Sequence, residues 1–302
     1  MLIGLDIGGT KIEGVLMNPE LEILRRLRVD TPKTGYQDFL CQVQEVINEL
    51  SQLQKIKSIG VGCCGSVDSR TGLIQGANIG YLNGNPFLKD LQKEYSVPVA
   101  VSNDANCLAI SEYSSGAAKE AVASCLAVII GTGVGGGIIV NDTVIEGING
   151  LGGEIGHNPL PGFSPDIDGP PVKCYCGSMN CIESFCSGTG FERTWSQKYP
   201  AIKSKEIFER AEQGDYCAIT HVELYCDQLA RVIASLVNII DPEIVVLGGG
   251  MSNQESIYPI LNKRIGYYTF RKGVIVSIVQ AKNGDSSGVI GAAILPEIKG
   301  IL

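Results

Sequence analysis

The chain has 302 residues, of which 44% are apolar and 19% charged, and it carries a formal net charge of −8. That length suggests about two domains at the usual ~150 residues each, and the composition excludes a disordered chain. The acidic balance argues against nucleic acid or an anionic membrane as partner, and no run approaches the ~20 apolar residues of a membrane helix.

The N-terminus, MLIGLDIGGTK, lacks the basic stretch and long apolar core of a signal peptide, so a cytoplasmic location is expected. Three strands open the chain, at 2–6, 12–17 and 21–29, with a tight glycine turn between the first two. Periodicity then predicts a helix over 37–53, a strand at 58–63, a hairpin region and a helix over 86–95. A buried strand at 97–104 and a helix from about 105 follow. A second run of the same kind starts with a strand at 124–131, a glycine-rich turn and a hairpin bending at Asn141-Asp142. After a long Gly/Pro-rich loop come helices at about 182–198, 204–213 and 216–240, a strand at 243–249 and another helix. A strand at 274–279 and a closing helix at about 286–296 end the chain. The order βββαβα occurs twice, which reads as duplication of a domain plan. The expected division is a smaller α/β domain over 1–118, with the closing segment 286–302 packed back on it, and a larger one over 119–285.

Gly131-Thr132-Gly133-Val134-Gly135-Gly136 matches the GxGxxG dinucleotide fingerprint after a strand. That fingerprint works only when a helix follows, so that its N-terminus faces the pyrophosphate. A hairpin is expected here instead, which disfavours a nicotinamide-dependent oxidoreductase, and a GxxxxGK[ST] loop is missing. Two strand-turn-strand loops, Asp6–Lys11 and Ile130–Gly137, can still surround an anion with backbone N–H groups. Asp6 can hold magnesium, and Thr10 and Thr132 can donate hydroxyl hydrogen bonds to phosphate oxygens. Gly249-Gly250, between a strand and a helix, is a third such place and suits a nucleoside. Each loop alone is also a plain turn; the first two, at equivalent places in a duplicated plan, can clamp one triphosphate.

Asn103-Asp104 ends a buried strand, the position where ligands sit in open α/β sheets, although Asp104 also fits the N-cap of the next helix. The stretch GHNPLPGFSPDIDGPPVKCYCGSMNCIE holds His157, Cys174, Cys176 and Cys181, the Cys₃His composition of a closed structural zinc site. Clustered cysteines in a chain without a secretory signal more often bind metal than form disulfides. Glu154 and Glu183 bracket the loop 154–183, where they could face sugar hydroxyls or simply be solvated. Cys41, Cys63, Cys107, Cys125, Cys186, Cys217 and Cys226 fit small core residues, and His221 fits an ordinary helix histidine.

Taken together, DIGGTK at 6–11, SNDANC at 102–107, IIGTGVGGG at 129–137, GEIGH at 153–157, CYCGSMNCIE at 174–183 and VVLGGGMS at 245–252 resemble the ROK family of sugar kinases. The name stands for repressors, open reading frames and kinases, and the family lies in the hexokinase–actin ATPase superfamily. NDANCLAISE, GHNPLPG, CIESFCSGTGF and NGDSSGVIGAA look most similar to bacterial fructokinases of the mannofructokinase type, with N-acetylglucosamine kinases next. The resemblance implies an α/β, two-domain actin-like ATPase (ribonuclease H-like) fold with an interdomain cleft. It implies ATP- and Mg2+-dependent phosphorylation of a hexose, fructose to fructose 6-phosphate first, with N-acetylglucosamine or glucose as alternatives.

It further implies Asp104 as general base, with Gly65, Asn83, Asn103, Glu154, His157 and Glu183 at the sugar. Asp6, Gly8, Gly9, Thr10, Lys11, Gly131, Thr132, Gly133, Gly135, Gly249 and Gly250 would serve ATP. His157, Cys174, Cys176 and Cys181 would hold a structural Zn2+, and a homodimer is expected. The family also includes sugar-responsive repressors, which need a DNA-reading segment ahead of the core. Here Asp6 already belongs to the first phosphate loop, so a kinase is expected. Two departures stand out: Asn180 where CxCGxxGC usually has Gly, tolerable because Asn visits the left-handed region, and Cys64 where PG is usual before Gly65.

Overall fold

The computed structural model describes residues 1–52 and 54–302. The first half runs β1 (Leu2–Ile7), β2 (Lys11–Met17), β3 (Ile23–Asp30), α1 (Tyr36–Ser51), β4 (Ser58–Cys63), the short β5 (Ser66–Val67) and β6 (Ile74–Gln75), α2 (Phe87–Glu94), β7 (Val99–Asn103) and α3 (Asp104–Ser114). The second half begins with β8 (Ser124–Ile130), β9 (Val134–Val140), β10 (Thr143–Val144) and the short helices α4 (Pro165–Asp168) and α5 (Glu183–Cys186). It continues through α6 (Gly188–Ser196), α7 (Ser204–Glu212), α8 (Tyr216–Ile240), β11 (Ile244–Gly248), α9 (Ile257–Tyr268), β12 (Ser277–Gln280) and α10 (Ser287–Ile298). Leu53, the last residue of the helix expected over 37–53, lies outside the described residues.

The duplication is written in the strand order, β3-β2-β1-β4-β7 in one sheet and β10-β9-β8-β11-β12 in the other. In the first, β1 pairs antiparallel with β2 and parallel with β4. In the second, β11 is parallel to both β8 and β12. In each half the βββαβα order is followed by one further strand and helix, β7–α3 and β12–α10, at the places expected for them. Asn141 and Asp142 both adopt positive φ, 49° and 59°, the turn that a two-residue hairpin requires.

The chain divides into two compact units, one of Met1–Val122, Gly137–Gly153 and Lys282–Leu302, the other of Ala123–Gly136 and Glu154–Ala281. The N-terminal unit is therefore the larger, contrary to expectation, because 137–153 falls in it. Its sheet is apolar on both faces. Ile3, Leu5 and Ile7 join Phe39, Val43, Val46, Ile47 and Leu50 of α1, while Leu2, Val15 and Met17 meet Val289 and Ala293 of α10. Gly4 and Gly60 let α10 approach backbone to backbone: a Cβ at Gly60 would lie 1.7 Å from the Ala292 carbonyl oxygen. Cys41 sits off the inward face of α1 and is exposed, and Cys217 is half-buried, so neither is a core residue as expected; the other five of that group are buried.

In the second unit, the helix expected over 182–198 is broken at Ser187, whose backbone is extended (φ −72°, ψ 163°). Ser187 caps α6 by accepting a hydrogen bond from Gly190 N at 2.9 Å. Among the described residues no helix is long and apolar enough to cross a membrane.

Candidate active site

In the N-terminal unit, the turn after β1 is closed by Gly8 N donating to the Lys11 carbonyl oxygen at 3.0 Å. Thr31 braces it from β3's end, its hydroxyl on Gly8 O at 2.7 Å and its N–H on Thr10 O at 3.0 Å. Gly9, Thr10 and Lys11 are exposed at the tip. Asp6, in β1, stands opposite Glu13 of β2, which Arg26 and Arg28 neutralise. Burial, the nearby Asp104 and then Glu13 push the Asp6 carboxyl up to about 6.

Asn103 is the N-cap of α3, its Oδ1 accepting from Ala105 N at 2.8 Å, and Asp104 is the first residue inside the helix. The cap that Asp104 could have provided is thus supplied by its neighbour. Asp104 also accepts from Ala105 N at 2.8 Å, yet burial raises its pKa. Gly65 fits a tight bend where a Cβ would lie 2.9 Å from that of Ala77. The Asn83 carboxamide is engaged within its own loop, accepting from Ala77 N and donating to Ala77 O, both at 2.8 Å, so it shapes that loop. Cys64 is half-buried, and burial first, then the charge of Asp104, raise the pKa of its thiol.

In the second unit, the turn between β8 and β9 is gripped by the residues that begin α6. Gly188 N donates to Gly131 O at 2.8 Å, and the Thr189 hydroxyl donates to Thr132 O at 2.7 Å. Val134 N donates to Glu183 Oε2 at 3.0 Å, and a Cβ at Gly133 would lie 2.4 Å from that same oxygen. The carboxylate closing the cysteine loop therefore rests directly on the glycine turn. A cavity of about 810 Å³ opens beside it, lined by Gly131, Thr132, Gly188, Thr189, Gly250 and Met251 on one part of its wall. At the N-terminal end of α6, Gly188 N is taken by Gly131 O and Gly190 N by the Ser187 hydroxyl, so this helix end holds the glycine turn and caps itself. Gly249, at φ 82°, packs against β8 at Ile130, whereas Gly135 lies inside β9, away from the turn itself.

Ligand atoms of His157, Cys174, Cys176 and Cys181 all lie within 4.8 Å of one another. His157 Nδ1 is 3.7 Å from Cys174 Sγ, and Cys176 Sγ is 3.6 Å from Cys181 Sγ. Tetrahedral zinc with bonds of about 2.3 Å to sulfur and about 2.0 Å to nitrogen separates its ligand atoms by roughly 3.5–3.8 Å, so the residues fit the ion. Asn180 takes the left-handed conformation (φ 57°), and its Oδ1 accepts from Val172 N at 2.8 Å. The same loop is anchored from α8, where the nearly buried Arg231 reaches Asp168 at 2.5 Å and Pro161 O at 2.7 Å. His221 is a packing residue, its ring tilted against that of Phe191 with centroids 4.6 Å apart and its Nε2 3.0 Å from the Phe191 carbonyl oxygen.

Thr189, Glu192 and Lys203 line the cavity but carry no recognisable signature as binding residues in sequence; only Ser187-Gly188, with its cap-and-glycine pattern, marks the helix start. Arg231 was equally hidden, because it falls on the buried side of α8 among Leu229, Ala230, Val232 and Ile233.

A strand order repeated in two sheets, with a carboxylate on the first strand and glycine turns at equivalent places, defines the actin-like, ribonuclease H-like ATPase fold. The chain belongs to the ROK family, whose model matches residues 2–298. It is 36% identical over 301 residues to the N-acetyl-D-glucosamine kinase of Haemophilus influenzae (strain 86-028NP), covering 98% of this chain and 99% of that protein. Among solved structures it is similar to a ROK hexokinase from Thermus thermophilus, with TM-score 0.85, 29% identity and 99% of each chain covered. It is also similar to a ROK family glucokinase from Streptomyces griseus in complex with glucose and AMPPNP, with TM-score 0.77, 27% identity, and 97% and 98% of the two chains covered.

Proposed function

We propose that the protein is an ATP-dependent hexose kinase whose first substrate is N-acetylglucosamine. The observation that carries this reading is Asp104, a buried carboxylate at the first turn of α3 with a raised pKa and Asp6 nearby. In this reading Asp104 accepts the proton of the attacking sugar hydroxyl, and Asn103, Glu154 and Glu183 hold neighbouring hydroxyls. The glycine turns serve the phosphates, and the nucleoside occupies the cavity beside Gly250. Magnesium, held on the Asp6 side, neutralises phosphate charge when bound. Phosphoryl transfer is mostly positioning and charge stabilisation, so backbone N–H groups and Asp104 are the parts it needs. His157 and the three cysteines hold a structural zinc that fixes the loop carrying Glu154 and Glu183.

The relatives at 36–37% identity named N-acetyl-D-glucosamine kinase support that sugar over fructose. Fructose remains the second reading, favoured by the residues GHNPLPG and NDANCLAISE. ADP release with N-acetylglucosamine, fructose, glucose and mannose tests both. The highest kcat/KM is expected for N-acetylglucosamine; a higher value for fructose would reverse the order, and no sugar-dependent release would remove the kinase reading. The same reading carries a homodimer, and a monomer in sedimentation equilibrium would contradict that part alone.

A further inference from the structure

Tyr175 stands between two members of the cysteine cluster, yet 82% of it is exposed. Its hydroxyl is 3.0 Å from His157 Nε2, and its ring meets the imidazole edge-on with centroids 5.1 Å apart. The other ring nitrogen, Nδ1, faces the Cys174 thiol at 3.7 Å. An imidazole that offers its Nδ1 lone pair to a metal or thiol carries its proton on Nε2, so His157 donates and the Tyr175 oxygen accepts. A phenol oxygen that accepts in this way still has its own O–H to donate. Among the described residues no protein acceptor takes it up.

Tyr175 lies in the loop that Glu154 and Glu183 bracket. Those carboxylates only accept hydrogen bonds, so they suit the hydroxyl hydrogens of a sugar and offer nothing to its carbonyl or ring oxygens. The geometry points to Tyr175 as a substrate-contact residue that donates its hydroxyl hydrogen to an acceptor oxygen of the sugar, oriented for that by His157. An exposed tyrosine oriented by two contacts to one ring has little else to stabilise. The inference rests on the hexose-kinase reading above and deepens it.

The test compares wild type with Tyr175→Phe, using N-acetylglucosamine, fructose and glucose as probes. Steady-state kinetics, calorimetric sugar binding and the metal content of the purified proteins are the readouts. Loss of one hydrogen bond to substrate is expected to raise KM and the calorimetric Kd for the best sugar about tenfold, with kcat and KM for ATP within about twofold. Metal content is expected to stay equal, and Tyr175→Ala to weaken sugar binding at least as much. A Tyr175→Phe protein with unchanged sugar KM overturns the assignment, as does one that has lost metal, since the residue would then serve the loop. Wild type that phosphorylates none of the three sugars sinks the underlying reading instead.

Discussion

Two acidic side chains in the N-terminal unit set the behaviour expected at single residues. Asp6 has its carboxyl pushed up to about 6 from an ordinary 3.8, by burial first and by Asp104 second. Between those two values the folded protein binds a proton that the unfolded chain does not. The ligand-free fold is therefore destabilised by this group above pH 6 and relieved as pH falls towards 4. A shift of this size is worth roughly 3 kcal/mol at most. Asp6→Asn is expected to raise the Tm of the ligand-free protein at pH 7.5, and the gap to wild type should shrink at pH 5.5. A lower Tm for the variant at pH 7.5 would show that Asp6 is not held against its preference. The same proton competes with the metal, so binding of magnesium nucleotide should weaken as pH drops through about 6, measurable by calorimetry. Asp6, Asn103 and Asp104 were legible as candidates from strand-end positions alone. What their sequence could not supply was the division of labour, in which Asn103 caps α3 and leaves Asp104 inside its first turn.

At the scale of elements, the cysteine loop gathers His157, Cys174, Cys176 and Cys181 at one place and is tied to α8 at another by the buried Arg231–Asp168 pair. Removing one partner of such a pair leaves an uncompensated buried charge, at a cost of about 3–5 kcal/mol. Arg231→Met should lower the unfolding free energy by that order in urea titration; a change under about 1 kcal/mol would mean the pair is dispensable. Stripping metal with a chelator should lower Tm and weaken sugar binding together, and an unchanged Tm would remove the structural role given to the cluster. The four candidate ligands were readable because their residue types make up the Cys₃His composition of a zinc site. Arg231 was not, since nothing in the sequence pairs it with Asp168, 63 residues away in the loop. The break at Ser187 was missed for a different reason: apolar periodicity continues through it, while the local Ser-Gly-Thr-Gly chemistry restarts the helix and turns its N-terminal end to the glycine turn.

For the whole molecule, the decisive sequence observation was that a hairpin, and not a helix, follows Gly131–Gly136. β9 occupies that place, and the repeated strand order accounts for both glycine turns at once. The unit boundaries were less legible, because 137–153 is continuous in sequence with the second half but clusters with the first. Substrate choice was least legible of all, since epimeric sugars differ by single hydroxyl groups whose partners no motif spells out. The central claim is narrower than that choice: Asp104 takes the proton from a sugar hydroxyl. Its most direct test is the turnover of Asp104→Asn with magnesium, ATP and the best sugar, alongside calorimetric sugar binding by the same protein. General-base loss predicts a fall in kcat of about 10²–10⁴-fold with the sugar still bound. Turnover within about twofold of wild type would contradict the account.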